Sequence, residues 1–277
     1  MLELPESAVM AKQLEKSVKG RTITRAVAAQ SPHGFAWYHG DPKGYGALLS
    51  GQTVVGARAS GGYVELLTDG AQVIFGDGVN IRLHADRNSL PAKHQLLLEL
   101  DDGGAIVCTV QMYGAMFASR PGEFETKYYA AAVAKPSPLA KGFTQKYFLT
   151  LTSGVEDKIS VKAFLATEQR IPGLGNGCLQ DILFHARLNP QTRLRFLDGN
   201  DFKRLYKSVT IVLGDMAAKG GRDTEKDLHG NPGGYRTVMS NKTVAQPCPG
   251  CGGTIVKKAY LGGNVYFCPA CQPAMTK

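Results

Sequence analysis

The chain has 277 residues, and its 32 lysine and arginine residues outnumber 23 aspartate and glutamate residues, which gives a formal net charge of +9. A chain of this length has room for two domains, or for one large domain with an appendage. The basic balance favours a polyanionic partner, although a basic but otherwise ordinary enzyme would share it. No apolar run approaches the roughly 18 residues of a membrane span and no secretory leader is recognisable, so we expect no membrane association and a cytoplasmic location.

The first predicted element is an amphipathic helix. Between residues 6 and 19 the apolar residues Met10, Leu14 and Val18 recur at a spacing of four, and Gly20 ends the pattern. One face of this helix is therefore expected to pack against a core.

Short β-strands are predicted over residues 21–129, where apolar and β-branched runs alternate with turn residues. The runs comprise residues 22–24, 35–38, 53–55, 63–67 and 72–75. The clearest hairpin joins residues 95–100 to residues 105–111 across an Asp-Asp-Gly-Gly turn. Several short strands at this spacing indicate a β-sandwich or a barrel.

The proline-rich segment 134–139 lacks periodicity and predicts an interdomain linker. We therefore expect an N-terminal domain over residues 1–132 and a linker over residues 133–143. Apolar residues at helical spacing follow in residues 147–152, 160–166, 177–187 and 201–216, which predicts a helical domain over residues 144–244.

Four of the six cysteines form two Cys-x-x-Cys pairs near the C-terminus, separated by residues 252–267. They are Cys248, Cys251, Cys268 and Cys271. This spacing is typical of a ribbon in which four thiolates hold one structural zinc ion, here over residues 245–277. Two disulfides are the alternative, and a reducing compartment argues against them. Cys108 and Cys178 lie in apolar patterns and are expected to be buried small hydrophobic residues.

The segment 169–176 contains a glycine-lined turn that leads into a predicted helix. Gly173 and Gly175 would let the backbone approach a phosphate closely, and the N–H groups at the helix start would favour an anion. Asn176 could add a side-chain donor. A simple helix-turn-helix corner without a phosphate contact would have the same pattern.

In this order, these motifs resemble the Fpg/Nei family of DNA glycosylases over nearly the whole chain. The matching positions are residues 2–6, Lys93 and His94, residues 136–139, Gln169, residues 173–176, Asn189 and Pro190, Gly220 and Gly221, and the cysteine-containing ending up to Gln272. The resemblance implies an α+β protein. It would have an N-terminal β-sandwich with a leading helix and a C-terminal helix-two-turn-helix domain with a four-cysteine zinc ribbon.

The resemblance also implies catalytic residues at the N-terminus. Family members attack the sugar C1′ carbon with an N-terminal proline amine, and the next glutamate supplies proton transfer. Glu3 and Glu6 match the acidic positions, but Leu2 stands in place of the proline. We expect Met1 to be retained before leucine, although its removal would give Leu2 an amine able to form a Schiff base. Both glutamates could instead cap the first helix.

Further departures from the family concern groups that would grip DNA. Gly62 stands where the family has a lysine, and Gly263 replaces an arginine that holds a phosphate. The residues that fill the space of an extruded base are not recognisable in residues 75–78 or 112–117. Lys162 lies on a helical face, where it either approaches DNA or is solvated.

These observations lead to three functional hypotheses. The first is a monomeric DNA glycosylase of base-excision repair that binds damaged double-stranded DNA, with AP-lyase activity in doubt because Leu2 replaces the proline. The second is a catalytically silent protein that binds lesions or structured nucleic acid. The third, an RNA-binding protein, has no aromatic stacking motif in the sequence to support it.

Overall fold

The computed structural model describes residues 2–76, 78–86, 88 and 90–275. Met1, for which retention is expected, lies outside the described residues. Asp77 also lies outside the described residues. It belongs to the segment 75–78, one of the two in which no residue that fills the space of an extruded base is recognisable.

The leading helix, α1, spans Leu4–Val18 and begins earlier than the spacing predicts. Pro5 explains the earlier start, because proline is well tolerated in the first turn of a helix. Met10, Leu14 and Val18 are buried, as the apolar spacing predicts. Leu4 instead packs in a second core, so this one helix contacts both halves of the molecule.

The N-terminal part is a β-sandwich, which confirms the predicted fold class. One sheet has four antiparallel strands in the order β1 (Ile23–Ala28), β7 (Leu96–Leu100), β8 (Ala105–Val110) and β6 (Val79–His84). The other has five, in the order β2 (Ala36–Trp37), β9 (Gly114–Ser119), β5 (Gln72–Phe75), β4 (Tyr63–Thr68) and β3 (Val54–Ser60). Apolar side chains from both sheets and from α1 form the larger core.

Two short helices accompany the sandwich, α2 (Tyr45–Leu49) and α3 (Lys127–Ala134). Neither was predicted from the sequence. The sequence also did not predict strands β6 and β9. The polar residues Arg82 and His84 weaken the apolar pattern of β6, and β9 begins with Gly114, a residue that is uncommon in strands. The domain division at residues 133–143 stays a prediction.

Four helices build the C-terminal part: α4 (Gln145–Thr150), α5 (Val161–Ala166), α6 (Asn176–His185) and α7 (Gly199–Ala218). All four fall within two residues of the predicted helical segments. Asp198 and Asp201 form a reciprocal capping box at the start of α7, which fixes where that helix begins.

The C-terminal ribbon contains the hairpin β10 (Val256–Tyr260) and β11 (Gly263–Phe267). Leu261 and Gly262 have positive φ angles of 49° and 69°, as a tight two-residue hairpin turn requires. The ribbon docks on the helical part through buried Gln272, whose Nε2 donates to the Leu188 carbonyl at 2.9 Å. Within the described part of the chain, the helices lack the length and apolar character that crossing a bilayer requires.

Candidate active site and metal centre

A cavity of about 630 Å³ lies where the sandwich, the helical part and the ribbon hairpin meet. Its volume falls in the range of ligand sites in proteins. Six of the seven predicted catalytic and DNA-binding residues line it: Leu2, Glu3, Lys162, Gly173, Gly175 and Asn176. Glu6, the seventh, does not line this cavity.

Glu3 contributes a buried carboxylate, only 4% exposed, to the wall of this cavity. Its Oε1 accepts a hydrogen bond from Gly177 N and its Oε2 accepts one from Cys178 N, both at 2.8 Å. Burial alone would raise the pKa of Glu3, but the Arg222 guanidinium and these amide donors outweigh it and hold the pKa below its ordinary value. Glu3 is therefore ionised at neutral pH.

These contacts correct two expectations. The start of α6 does favour an anion, but two of its N–H groups bind the carboxylate of Glu3 rather than facing a phosphate. Glu3 also makes no side-chain cap to α1, although it occupies the N-cap position of that helix. The alternative of local capping by Glu3 is thus wrong, because its carboxylate caps a helix 174 residues away in the sequence.

Arg222 is a central charged residue of the site that no sequence motif predicts. It is buried, its Nη1 lies 3.6 Å from Glu3 Oε1, and its Nη2 lies 2.8 Å from Glu6 Oε2. Arg222 Nε and its backbone N also donate to Glu6 Oε1, at 2.9 and 3.1 Å. Glu6 is therefore a partner of Arg222 and lies outside the lining of the cavity. The Gly220-Gly221 pair, which directly precedes Arg222, was the available signal.

Glycines make room for these buried charges. A Cβ on Gly175 would lie 2.6 Å from the carboxyl carbon of Glu3, and a Cβ on Gly177 would overlap with Arg222 Nη1. The glycine spacing predicted as an approach to phosphate thus also creates space for a carboxylate and a guanidinium.

The N-terminal segment is held against the glycine turn and the β3–β4 hairpin. Leu4 N donates to Gly173 O at 2.8 Å, and the side chain of Leu2 belongs to the sandwich core. Gly173, with a φ of 80°, packs so closely that a Cβ there would overlap with Gly62 N. A Cβ on Gly62 would lie 3.2 Å from Gly173 Cα. Where the family resemblance implies a lysine, this chain has tight backbone packing.

Asn176 and Lys162 join the helical part to the ribbon hairpin. Asn176 Nδ2 donates to Asn264 O at 3.0 Å, and Lys162 Nζ donates to Tyr260 O at 2.5 Å. Burial lowers the pKa of Lys162. The ammonium lies 3.7 Å from the position that a Cβ on Gly263 would take. Lys162 is therefore held in place rather than freely solvated.

The four C-terminal cysteines form one cluster, with all four sulfur atoms within 4.8 Å of one another. The Sγ atoms of Cys248 and Cys271 are 3.8 Å apart, and those of Cys251 and Cys268 are 3.5 Å apart. Thiolates at about 2.3 Å from a tetrahedral ion lie about 3.8 Å from one another. The four sulfur atoms could therefore hold a metal ion between them. Their separations are too long for disulfide bonds.

The other two cysteines, Cys108 and Cys178, are buried, as predicted. Burial raises the pKa of both thiols, so each stays protonated.

Curated relatives match the chain over almost its full length. The formamidopyrimidine-DNA glycosylase of Deinococcus radiodurans is 28% identical over 293 residues, which cover 100% of this chain and 99% of that protein. The formamidopyrimidine-DNA glycosylase of Rhodopseudomonas palustris (strain TIE-1) is 27% identical over 297 residues, which cover 98% of this chain and 100% of that protein. No protein-family model matches the chain.

Solved structures share the fold. The MutM (Fpg) protein of Thermus thermophilus matches with a TM-score of 0.81 and 24% identity, covering 99% of this chain and 100% of that one. Lactococcus lactis Fpg in complex with DNA containing an abasic site matches with a TM-score of 0.82 and 22% identity, covering 98% of this chain and 99% of that one. The curated relatives match the chain over almost its full length and the solved structures share its fold, which confirms the resemblance to the Fpg/Nei family that the sequence motifs indicate.

Proposed function

We propose that this protein is a DNA glycosylase of base-excision repair, which binds damaged duplex DNA, extrudes the damaged nucleotide into the cavity and hydrolyses its N-glycosidic bond. The names of its relatives and the lesion-containing DNA in complexes of its structural neighbours support this function. The observation that carries it is the buried, ionised Glu3 in the wall of a cavity large enough for a nucleotide.

The proposed chemistry assigns one proton-transfer role to Glu3. A carboxylate that is ionised at neutral pH can accept a proton from a water molecule as the water oxygen bonds to C1′. The C1′–N bond breaks at the same time, and the proton passes to the departing base. Arg222 and Glu6 act as positioning residues, because their ion pair fixes the place and charge of Glu3.

We assign DNA contacts to Gly173, Gly175 and Asn176 in the glycine turn, and to Lys162. All four line the cavity, and Asn176 and Lys162 also fix the ribbon hairpin at its rim. The ammonium of Lys162 lies beside Gly263, so it supplies a cation close to where the family resemblance implies an arginine.

A catalytically silent lesion-binding protein is the second candidate. Three departures favour it: Leu2 is anchored in the core, Gly62 is packed against backbone, and Gly263 has no side chain to grip a phosphate. Each removes a group that the family resemblance links to catalysis or to DNA binding.

Base release from lesion-containing duplexes separates these two functions. We expect the full-length protein to free the damaged base from at least one of a panel that contains oxidised purines, oxidised pyrimidines and alkylated bases. Chromatography of the products measures release, and an undamaged duplex of the same sequence is the control. Binding to these duplexes without release of any base would favour the silent protein.

We expect no borohydride-trapped adduct with an abasic-site duplex when the intact mass shows that Met1 is present. The nitrogen of Leu2 is then part of a peptide bond and cannot form an iminium ion. Leu2→Pro is the matched variant, because the initiator methionine is removed before proline and leaves a free secondary amine. We expect that variant to be trapped. Trapping of protein that retains Met1 would contradict the assignment, because another amine would then be the nucleophile.

We propose that the four-cysteine cluster holds one structural zinc ion. Four thiolates at tetrahedral separations suit zinc, and a reducing bacterial cytosol, where a protein acting on chromosomal DNA would reside, keeps cysteines from forming disulfides. We expect about one zinc per chain by elemental analysis, and chelation should make the ribbon sensitive to proteolysis. Cys271→Ser should lose the metal, whereas Cys108→Ala should keep it. Protein purified without chelators and free of zinc would contradict the assignment.

A further inference from the structure

An exposed aromatic surface adjoins the cavity. Phe35, Trp37 and Met112 are 62%, 47% and 73% exposed, and the ring of Tyr113 lies 5.9 Å from that of Trp37, tilted by 34°. We refer to these four residues as the aromatic wall. Large side chains that stay exposed as a cluster on a folded protein commonly mark a binding surface.

Two segments far apart in the sequence are locked together to form the aromatic wall. Strand β2, which contains Trp37, pairs in parallel with β9, and Gly114 N donates to Phe35 O at 2.9 Å. The ring of His33 accepts from Phe35 N at 3.2 Å and lies 3.4 Å from Gln111 O.

A glycine fixes the second of these segments. Gly78, with a φ of 84°, packs so tightly that a Cβ there would overlap with Tyr113 O. The wall is therefore formed in advance of binding, which lowers the entropic cost of binding.

The aromatic wall is continuous with the proposed nucleotide cavity. Met112 and Tyr113 belong to both surfaces, and exposed Tyr128 adds a third large side chain to the cavity rim. Among the described residues that line the cavity, only Glu3 and Lys162 carry a charge. This region therefore offers flat apolar faces rather than a row of cations for phosphates.

Unpaired DNA bases are the occupants that fit such a surface. In a fully paired duplex the faces of each base are covered by its neighbours, whereas an unstacked base exposes a face on which an aromatic ring can stack. We propose that the aromatic wall stacks unpaired bases beside the nucleotide in the cavity, so that the protein binds single-stranded or locally unpaired DNA more tightly than fully paired DNA. This inference rests on the proposed function and specifies its substrate class.

Trp37 is the only tryptophan in the chain, so its fluorescence reports directly on the aromatic wall. The full-length protein is titrated at one salt concentration with a 15-nucleotide single strand, with its duplex, and with a duplex that contains a central five-nucleotide bubble. We expect saturable quenching of Trp37 by the single strand and the bubble and little quenching by the duplex. Equal quenching by all three DNAs, or none, would overturn the proposal.

Anisotropy of labelled DNA then measures affinity in variants. Because stacking on one aromatic side chain changes affinity by about 5- to 150-fold, Trp37→Leu should weaken binding of the bubble by about tenfold while changing duplex binding less than about twofold. Ile211→Ala removes an exposed apolar side chain from α7 and is the control, with no expected change. Phe35→Leu should weaken bubble binding as well.

Other outcomes would show that the aromatic wall has a role other than stacking unpaired DNA bases. Tighter binding of single-stranded RNA than of DNA, or a dimer in sedimentation that Trp37→Leu abolishes, would overturn the proposal. Retained binding of abasic duplex without preference for unpaired DNA would overturn the role of the wall and leave the proposed function standing. If the wild-type protein bound no DNA at all, both the role of the aromatic wall and the proposed function would be overturned.

Discussion

Replacing Glu3 with glutamine is expected to slow base release by about 10²- to 10⁴-fold, the usual contribution of one group that transfers a proton in the rate-limiting step. Glutamine keeps the size of the side chain but cannot accept the proton of the attacking water. Its amide oxygen can still accept from one of the two N–H groups of Gly177 and Cys178, and Arg222 keeps its ion pair with Glu6, so the variant should fold and bind lesion-containing duplex within about threefold of the wild type. Single-turnover release from the best substrate of the panel measures the rate, and anisotropy measures the binding.

Glu15→Gln is the matched control for this experiment. Glu15 lies on α1, the helix that follows Glu3, and its Oε2 accepts from Ala57 N at 2.6 Å, but it does not line the cavity. We expect its removal to leave base release unchanged. If Glu3→Gln released base as fast as the wild type, the assignment of Glu3 as the proton acceptor would be wrong.

The pH dependence of base release is a second test of the assignment of Glu3 as the proton acceptor. The pKa of Glu3 is held below its ordinary value by Arg222 and two amide donors, despite its burial. The proposed role of Glu3 requires its ionised form, so the rate should stay level from neutral pH downward through the range in which an ordinary glutamate is protonated, near pH 4.3. It should fall only at lower pH, where Glu3 takes up a proton.

The architecture was largely predictable because its signals are local. Residues 72–75 were predicted as a strand from apolar content and flanking turns, and β5 has those bounds. The two Cys-x-x-Cys pairs came together as one cluster because each pair needs only a tight knuckle. These features depend on neighbours in the sequence, which a single sequence contains.

The electrostatic centre of the site was not predictable because it depends on distant partners. The Gly220-Gly221 pair marks the position of Arg222 in the sequence, but it does not indicate that Arg222 pairs with Glu6, 216 positions away, or that Gly177 leaves space for its guanidinium. The aromatic wall was missed for a similar reason, since Trp37 and Tyr113 become neighbours only when β2 pairs with β9. A stacking surface built from two segments has no motif in either one.

Arg222→Met should produce the largest loss of stability of any substitution considered. Methionine fills much of the same volume, but it leaves the carboxylates of Glu3 and Glu6 buried without a cation. Breaking a buried ion pair by removing one partner typically costs about 3–5 kcal/mol. We expect a decrease of that size in the free energy of unfolding, measured by urea denaturation at pH 7, and a loss of base release as the position of Glu3 relaxes.

Arg236→Met is the control for this loss, because Arg236 is an exposed arginine in the same segment and should cost less than about 1 kcal/mol. A loss for Arg222→Met as small as that of the control would contradict the role given to the buried cluster. The double variant with Glu6→Gln should be less unstable than the sum of its single variants, because the second change removes one of the uncompensated charges.

The loss of stability caused by Arg222→Met should also depend on pH. The direction of that dependence identifies the cause of the loss. In the wild type the lowered pKa of Glu3 contributes stability that is present above the unfolded-state pKa and is lost as the pH falls through the folded-state pKa. Without Arg222 the burial of Glu3 dominates, so its pKa should rise above the unfolded value of about 4.3 and its charge should destabilise the folded protein at neutral pH. Lowering the pH then protonates the buried carboxylate and should narrow the gap between variant and wild type. A gap that stays constant between pH 7 and pH 4 would mean that the loss comes from packing rather than from the unpaired carboxylates.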